Sequence, residues 1–168
     1  LEIYLEKGFR EGLFKSYYKS GVLSAEGRYK NNLSVAPFIE YHENQQIQMY
    51  LPHTQGNRDG TARWFYEDGT IRTISEYEVR DGQGYLKESS FYNNKGILES
   101  YQSHSNTRCG YNLDNNQREY YQEGIADTRI EYYEDGAIRW LLTRTQGDLF
   151  SSKSLSPQGL ILETGTIQ

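Results

Sequence analysis

Aromatic, polar and aliphatic positions recur along the chain in a fixed order. Two adjacent aromatic residues are followed by two polar residues, a glycine and, two places after the glycine, an aliphatic residue. The clearest copy is 64–73; the same order recurs at 17–23 and 132–138, with looser copies at 41–47 and 91–98. Adjacent aromatics favour a β-strand, and a polar pair followed by Gly suits a short loop whose last residue takes φ > 0. The pattern therefore predicts a repeat of β-hairpins.

Side chains alternate between the two faces of a strand, so the repeat also predicts which residues share a face. The first aromatic of each pair is predicted on one face, at Tyr17, Tyr41, Phe65, Phe91 and Tyr132. The second ring position is predicted on the other face, at Tyr18, His42, Tyr66, Tyr92 and Tyr133. The aliphatic residues after the turns form a predicted buried stripe of Leu23, Ile47, Ile71, Leu98, Ile138 and Ile161. Structural turn residues are predicted at Gly21, Gly69, Gly96, Gly136 and Gly159, with Gln45 in the equivalent place of the second copy.

These units predict one all-β domain over residues 1–168, an elongated antiparallel sheet of successive hairpins that is either single-layered or rolled. The period is about 24 residues, with hairpin repeats near 12–30, 36–54, 60–77, 85–101, 127–145 and 147–163. The Ser-, Asn- and Gln-rich segment 102–126 is irregular. Its 120–124 stretch repeats the turn pattern only 12 residues before Gly136, either as an extra hairpin or as an insertion.

Composition fits an extended sheet better than a large globular core. The chain has 16 Tyr, one Met and a hydrophobic fraction of 36%, and a tyrosine can bury its ring while its hydroxyl stays wet. The net charge of −5 argues against a nucleic-acid partner, and no apolar run is long enough for a membrane span. The single Cys109 excludes an internal disulfide, so the cytoplasm is slightly favoured over the periplasm. The chain begins at Leu1 rather than Met, and a signal peptide is one possible upstream segment.

Candidate catalytic groups are few and scattered. His42 stands at a Tyr position, where a substituted ring on a sheet face is the simpler interpretation. His104 and Cys109 lie five residues apart, but zinc takes four ligands and there is no second cysteine. The carboxylate pairs 67–68 and 134–135 occupy turn tips rather than opposite sides of a cleft. No nucleotide fingerprint or nucleophile elbow is present, so we predict no enzyme activity, no cofactor and no metal.

The repeat resembles a known family at its glycine, ring and aliphatic positions. The pattern Gly-x-x-x-x-Tyr-Tyr-x-x-Gly-x-Leu is carried by Gly12, Tyr17, Tyr18, Gly21 and Leu23, and by Gly60, Phe65, Tyr66, Gly69 and Ile71. A third copy has Asp127 in place of the leading Gly. The pattern resembles MORN (membrane occupation and recognition nexus) repeats, and more closely the bacterial variant repeats of YwqK-like antitoxins. The resemblance covers about residues 8–163; it implies an open sheet of hairpins and a protein-binding role as an antitoxin, immunity partner or scaffold.

We therefore expect a non-catalytic binding protein, an antitoxin or immunity protein that neutralises a toxin. The acidic balance suits a basic toxin such as a nuclease. The alternative is an exported or envelope-associated scaffold built from the same repeats. Tyr and Arg are enriched at protein interfaces, so partner-binding residues are predicted at Tyr17, Tyr41, Arg63, Phe65, Arg72, Phe91, Tyr132 and Arg139. The sequence leaves open whether these rings are exposed for a partner or only interlock with the next repeat.

Overall fold

The computed structural model describes residues 2–112, 119–146 and 149–167. All regular secondary structure within these ranges is β-strand. In chain order the strands are β1 (Glu2–Glu6), β2 (Phe9–Tyr17), β3 (Leu23–Lys30), β4 (Leu33–Ser34), β5 (Phe38–Tyr41), β6 (Ile47–Leu51), β7 (His53–Thr54), β8 (Asn57–Arg58), β9 (Gly60–Phe65), β10 (Ile71–Arg80), β11 (Gln83–Tyr92), β12 (Leu98–Asn112), β13 (Glu119–Glu123), β14 (Thr128–Tyr132), β15 (Ile138–Gln146), β16 (Leu149–Leu155) and β17 (Ile161–Ile167).

Successive strands are neighbours in one antiparallel, 15-stranded sheet that runs from β1 to β17 and does not close. Strands β4 and β13 pair beside the main path, on β3 and β12, and β7 pairs only with β8. Short hairpin connections explain this order, since they leave each strand beside the one before it. The predicted all-β sheet of hairpins is confirmed.

One end of the strands, named the loop end, carries six hairpin loops of the same geometry. In the first loop, the Tyr18 N–H donates to the Val22 carbonyl at 2.8 Å, and the Tyr18 carbonyl accepts the Gly21 N–H at 3.0 Å. The residue three places after each loop start has φ between 68° and 86°, at Gly21, Gln45, Gly69, Gly96, Gly136 and Gly159. This is the hairpin loop in which a turn is followed by one left-handed residue. All five predicted turn glycines, and Gln45 in the second copy, occupy this left-handed position.

The loops align the repeats and correct one predicted face. Their first residues are Tyr18, His42, Tyr66, Asn93, Tyr133 and Ser156. In the fourth repeat, the residue before the loop is thus Tyr92, so Tyr92 is equivalent to Phe65, and Phe91 to Trp64. The register agrees, because Phe91 and Trp64 both lie opposite Thr73 and opposed residues share a face. The prediction that Phe91 shares a face with Phe65 was wrong because this loop begins one residue later than its aromatic pair suggests.

The other end of the strands is built from two-residue turns. Both residues of each turn have positive φ, at Lys7–Gly8, Asn31–Asn32, Gln55–Gly56 and Asp81–Gly82. Positive φ at both central positions is the type I′ arrangement, whose twist matches that of the flanking strands. The chain reversals predicted at Asn31–Asn32 and around Asp81 lie here.

The hydrophobic core lies on one face of the middle of the sheet, named the core face. Its buried members are Leu51, Ala62, Tyr77, Leu86 and Cys109, with Phe38, Met49 and Trp64 packed against them. The predicted aliphatic stripe is not buried: Ile47, Ile138 and Ile161 are 41%, 37% and 57% exposed. That prediction was wrong because the stripe lies on the opposite face. Ile71, for example, lies opposite Phe65, whose neighbour Trp64 faces the core.

A two-stranded ribbon of β7 and β8 folds onto the core face. The Arg58 guanidinium lies 5.4 Å from the centre of the Tyr77 ring, and its Nη1 donates to the Tyr77 hydroxyl at 3.0 Å. The Asn57 amide donates to the Gly82 carbonyl at 3.0 Å. The chain thereby covers the middle of one face of its own sheet.

The irregular segment supplies the far half of β12 and the short strand β13. Strand β12 is 15 residues long; its residues 100–103 pair with β14, and its residues 108–112 pair with β13. The 120–124 stretch therefore contributes a strand paired with β12 rather than a loop-end turn. Residues 113–118 of the predicted irregular segment lie outside the described residues.

Replacing Gly69 with Ala is expected to lower the free energy of unfolding by about 1–2 kcal/mol, because a Cβ disfavours the left-handed backbone. Its φ is +84°, and the added Cβ would lie 2.8 Å from Oε1 of Gln46, a flexible side chain that can move aside. Urea denaturation measures the change. Gln45→Gly is the matched control, since it removes a Cβ at φ +68° and should not destabilise. An equal loss in both variants contradicts this account of the loop.

Candidate protein-binding surface

The face opposite the core carries two adjacent rows of apolar and aromatic side chains. The first row pairs the residue before each loop with the aliphatic residue after it: Tyr17–Leu23, Tyr41–Ile47, Phe65–Ile71, Tyr92–Leu98, Tyr132–Ile138 and Leu155–Ile161. The second row is further from the loops and includes Ile39, Tyr50, Ile74, Tyr101, Ile130 and Leu141. Together these rows are named the aromatic face.

The aromatic face is open to solvent. None of its named residues is buried, and Tyr17 exposes 41% of its surface. Among the described residues, the ribbon that crosses the sheet lies on the core face, where Arg58 and Asn57 meet β10 and β11. Large contiguous apolar surfaces are uncommon on monomeric proteins and mark interaction sites. This surface is therefore the candidate binding site.

The predicted partner-binding residues divide between the two faces. Four of them lie in the first row of the aromatic face: Tyr17, Tyr41, Phe65 and Tyr132. Arg63 lies in the second row, opposite Tyr50 and Ile74. Phe91 lies on the core face, so the structure does not bring it together with the others.

The remaining two predicted residues, Arg72 and Arg139, occupy register shifts directly after the loops. Arg139 donates to the Glu131 carboxylate at 2.5 Å, and this bond raises the pKa of the guanidinium. Of the second row, sequence reasoning named only Arg63 and missed the rings, including Tyr50 and Tyr101, because these rings lie outside the loop motif. The constant spacing of such residues from the loops was the signal in the sequence that could have identified them.

Two tyrosines of the aromatic face are hydrogen-bonded to carboxylates. The Tyr41 hydroxyl donates to the Glu26 carboxylate, and the Tyr101 hydroxyl donates to that of Glu88, each at 2.7 Å. Burial, and then the neighbouring carboxylate, raise the pKa of each phenol to about 12. Each hydroxyl therefore stays protonated well into the alkaline range and fixes a carboxylate at the surface.

A different set of rings ties neighbouring repeats together. The first loop residue of one repeat bonds to the carbonyl before the next loop: Tyr18 Oη to Tyr41 at 2.6 Å, His42 Nε2 to Phe65 at 3.1 Å, Tyr66 Oη to Tyr92 at 2.8 Å and Tyr133 Oη to Leu155 at 2.9 Å. A carbonyl only accepts, so the His42 proton lies on Nε2. His42 is thus the substituted ring that the sequence predicts. We name Tyr18, His42, Tyr66 and Tyr133 the ring ladder.

The ring ladder and the aromatic face answer the question that the sequence left open. Ladder rings interlock repeats through hydrogen bonds to backbone carbonyls, whereas the rings of the first row lie beside them and are partly exposed. A hydroxyl bonded to a carbonyl orients its ring along the sheet. In the four repeats that contribute to the ladder, the second ring of each pair therefore ties the sheet together, and the first ring is partly exposed at its surface.

The two residues considered for a metal site both lie in β12 and are both buried. His104 is buried, and its Nδ1 lies 2.8 Å from the Thr107 hydroxyl. Cys109 is buried in the core cluster. Across the ranges that the structure describes, no three potential ligands gather around a common point. Burial lowers the pKa of His104, which therefore favours its neutral form.

Acidification from about pH 7.5 to pH 5.5 is expected to destabilise the protein through His104. Its folded pKa is lowered from the ordinary histidine value of 6.5, so the unfolded chain binds a proton first and stability falls as the pH drops through that value. Urea denaturation of the wild type and of His104→Gln at both pH values tests this. Burial raises the pKa of Glu40, which acts in the opposite direction but equally in both proteins. An identical pH dependence in the two proteins contradicts the prediction.

The carboxylate pairs at the loop tips serve their own turns. The Asp68 carboxylate accepts the Thr70 N–H at 2.8 Å, and Asp135 accepts the Ala137 N–H at 3.0 Å. The backbone bond from Thr70 lowers the pKa of Asp68. These bonds give the acids a structural role in closing exposed loops.

Comparison with known proteins agrees with this architecture. The MORN repeat variant matches the chain at residues 10–31 and 58–78, roughly a quarter of its length. Each matched segment covers nearly all of one loop-end hairpin, β2–β3 and β9–β10 respectively. No curated protein matches the chain. The fold is that of a β-hairpin repeat protein, and its two matched segments are similar to the MORN repeat variant, a type of repeat found generally in non-catalytic binding modules or scaffolds.

None of the segments that the structure describes forms a helix of the length and apolar character needed to cross a membrane.

Proposed function

We propose that this protein is a non-catalytic antitoxin or immunity protein that binds a toxin through its aromatic face. The observation that carries the proposal is the face itself: two rows of tyrosine and aliphatic side chains that remain partly exposed across the sheet. Tyrosine supplies a large, rigid contact area with few rotatable bonds, which makes it an effective interface residue. A rigid repeat sheet presents such residues at fixed spacing, and binding then requires little ordering of the chain.

Charge favours a basic partner. The net charge is −5, and Glu76 and Glu88 lie directly opposite one another on β10 and β11, on the same side as the aromatic rows. Like charges at opposed positions of a sheet repel one another and destabilise it. A positively charged side chain of a partner would offset the repulsion between these two carboxylates. Complementary charge also accelerates association. A basic toxin domain such as a nuclease fits this surface.

The first experiment captures the partner and tests its toxicity. The tagged chain is purified from its native host, and each co-purifying protein is then expressed with and without the chain. A captured protein that arrests growth alone, but not together with the chain, supports the proposal. If every captured protein is harmless when expressed alone, the antitoxin proposal is wrong.

Substitutions on the aromatic face should weaken the captured complex. Ile47→Asp and Ile138→Asp are each expected to reduce affinity by about tenfold or more, because each places a charge in an apolar interface. The matched control is Leu33→Asp, which changes a residue of similar exposure, 38%, at the opposite end of the strands. Isothermal titration measures all three. Equal loss in Leu33→Asp excludes the aromatic face as the specific contact.

One observation favours a scaffold instead. All seven residues of the last strand, β17, are exposed, and an uncovered edge strand is a template for pairing with another chain. In the same capture experiment, recovery of envelope components without any toxic protein would support the scaffold function.

A further inference from the structure

The ring ladder lacks one member. Five junctions connect the six loops, and at four of them a ring reaches the carbonyl before the next loop. At the junction between the fourth and fifth loops, the first loop residue is Asn93. Its Oδ1 accepts the N–H groups of Lys95 and Ile97, each at 3.0 Å, within its own loop. The equivalent carbonyl of the next repeat belongs to Tyr132, and no described side chain donates to it.

The fourth junction is otherwise regular. The strands that join consecutive loops keep the same register at all five junctions. In each case the residue seven places after the first residue of one loop lies opposite the residue two places before the first residue of the next. These pairs are Ala25–Glu40, Met49–Trp64, Thr73–Phe91, Ser100–Glu131 and Trp140–Ser154. The two loops also remain in contact, since Lys95 Nζ lies 3.5 Å from a Glu134 carboxylate oxygen. Neither the register nor the loops have shifted to occupy the place of the absent ring.

A cavity of about 250 Å³ lies at this junction. It is lined by Asn93, Ile97, Leu98, Tyr132 and Tyr133 together with three charged residues, Glu99, Glu134 and Arg139. By equivalence with the other four junctions, the Tyr132 carbonyl is the acceptor for a hydroxyl placed here. The cavity therefore combines apolar and charged lining residues with one hydrogen-bond acceptor, and such polar groups fix the orientation of a small ligand in its site.

We propose that this cavity binds a para-substituted phenol, the chemical group of a tyrosine side chain. The ring occupies the place that the rings of Tyr18, Tyr66 and Tyr133 occupy at the other junctions, and the hydroxyl donates to the Tyr132 carbonyl. Those three hydroxyls bond their carbonyls at 2.6–2.9 Å, so the same chain supplies three occupied copies of the site. This site is independent of the identity of any partner of the aromatic face.

The test uses the complete, ¹⁵N-labelled chain and amide chemical-shift mapping. Titration with 4-methylphenol is expected to shift the amides of Asn93, Ile97 and Tyr133, with a dissociation constant on the order of millimolar, as suits so small a ligand. Toluene, which keeps the ring but lacks the hydroxyl, should bind about fivefold more weakly because one hydrogen bond is lost. Equal binding of toluene overturns the assignment of the hydroxyl to the carbonyl.

Two probes distinguish the source of the phenol. N-acetyltyrosinamide carries the ring on a peptide-like backbone, whereas 4-methylphenol is a free phenol. Shifts at the same amides with both probes support a tyrosine side chain of another protein as the occupant. Shifts with 4-methylphenol alone support a free phenolic compound. The absence of shifts with either probe overturns the proposal.

Reciprocal variants complete the test. Asn93→Tyr and Asn93→Phe each supply a ring from the chain itself and should abolish the shifts at the fourth junction. Tyr66→Asn should open a second phenol site beside the Tyr92 carbonyl. Asparagine is already tolerated at the start of the fourth loop, so this last variant keeps the test decisive if a ring at position 93 disturbs the fold. Persistent binding in both position-93 variants, or no new site in Tyr66→Asn, overturns the proposal.

Discussion

Replacing Leu51 with Ala is expected to lower the free energy of unfolding by about 2–5 kcal/mol, the largest effect that we predict for a single side chain. Leu51 is only 2% exposed and packs in the cluster that contains Ala62 and Leu86. Truncation removes its apolar contacts and leaves a cavity that the surrounding strands only partly fill. Urea denaturation at pH 7.5, analysed with a common slope, measures the change.

The matched control for Leu51→Ala is Ile138→Ala. Ile138 is also aliphatic and in a strand, but it is 37% exposed and lies on the aromatic face. Its truncation should lower the free energy of unfolding by less than about 1.5 kcal/mol, because little apolar surface leaves water when it folds. If Ile138→Ala lowered the free energy of unfolding more than Leu51→Ala, the core would lie on the aromatic face, contrary to the structure.

Gly84→Val is expected to lower the free energy of unfolding by about 3 kcal/mol, through overpacking. A Cβ at Gly84 would lie 2.8 Å from the Cys109 carbonyl oxygen and 3.7 Å from the Asn57 Cβ. The first of these is backbone of the paired strand β12, so it cannot rotate away, and the second belongs to the ribbon that covers the core face. Thermal and urea denaturation should both show the loss.

Gly165→Val is the control for this effect. Gly165 is also in a strand, but a Cβ there would meet only the Ser152 hydroxyl, at 2.9 Å, which can rotate. Valine also has a higher strand propensity than glycine, so this variant should be neutral or more stable than the wild type. Comparable destabilisation at both glycines would show that close approach to β12 is not the reason for glycine at position 84.

The loop-end hairpins could be predicted because their cause is local. The conformation of a three-residue hairpin loop depends on a few adjacent residues, and a left-handed position selects glycine strongly. Even Gln45, which lacks that signal, was placed correctly by its position in the repeat, and its φ is +68°. The fourth repeat shows the limit of this reasoning. In that repeat the loop begins one residue after the aromatic pair, whereas in the first, second, third and fifth repeats it begins at the second ring position of the pair. The alternation of side chains along the strand therefore assigned Phe91 to the wrong face.

The candidate site was predicted only in part. The rings of Tyr17, Tyr41, Phe65 and Tyr132 belong to the loop motif, and the structure places them in one row. The second row, which includes Tyr50 and Tyr101, depends on strand register across several repeats, which a single motif does not specify. The gap at Asn93 also has no signal in its own loop, because Asn is a common turn residue. It becomes visible only beside the equivalent rings of the other repeats.

The sequence by itself determined the architecture: repeated loop chemistry and ring positions specify hairpins, and short connections between hairpins leave them side by side in one open sheet. Only the tertiary structure decided which face holds the core. Alternation separates two faces but does not say which is covered, and both faces of this sheet carry apolar residues. The choice follows from a distant contact, the packing of Asn57 and Arg58 against Gly82 and Tyr77. That contact covers one face, and the first-row tyrosines and loop-end aliphatic residues remain on the other.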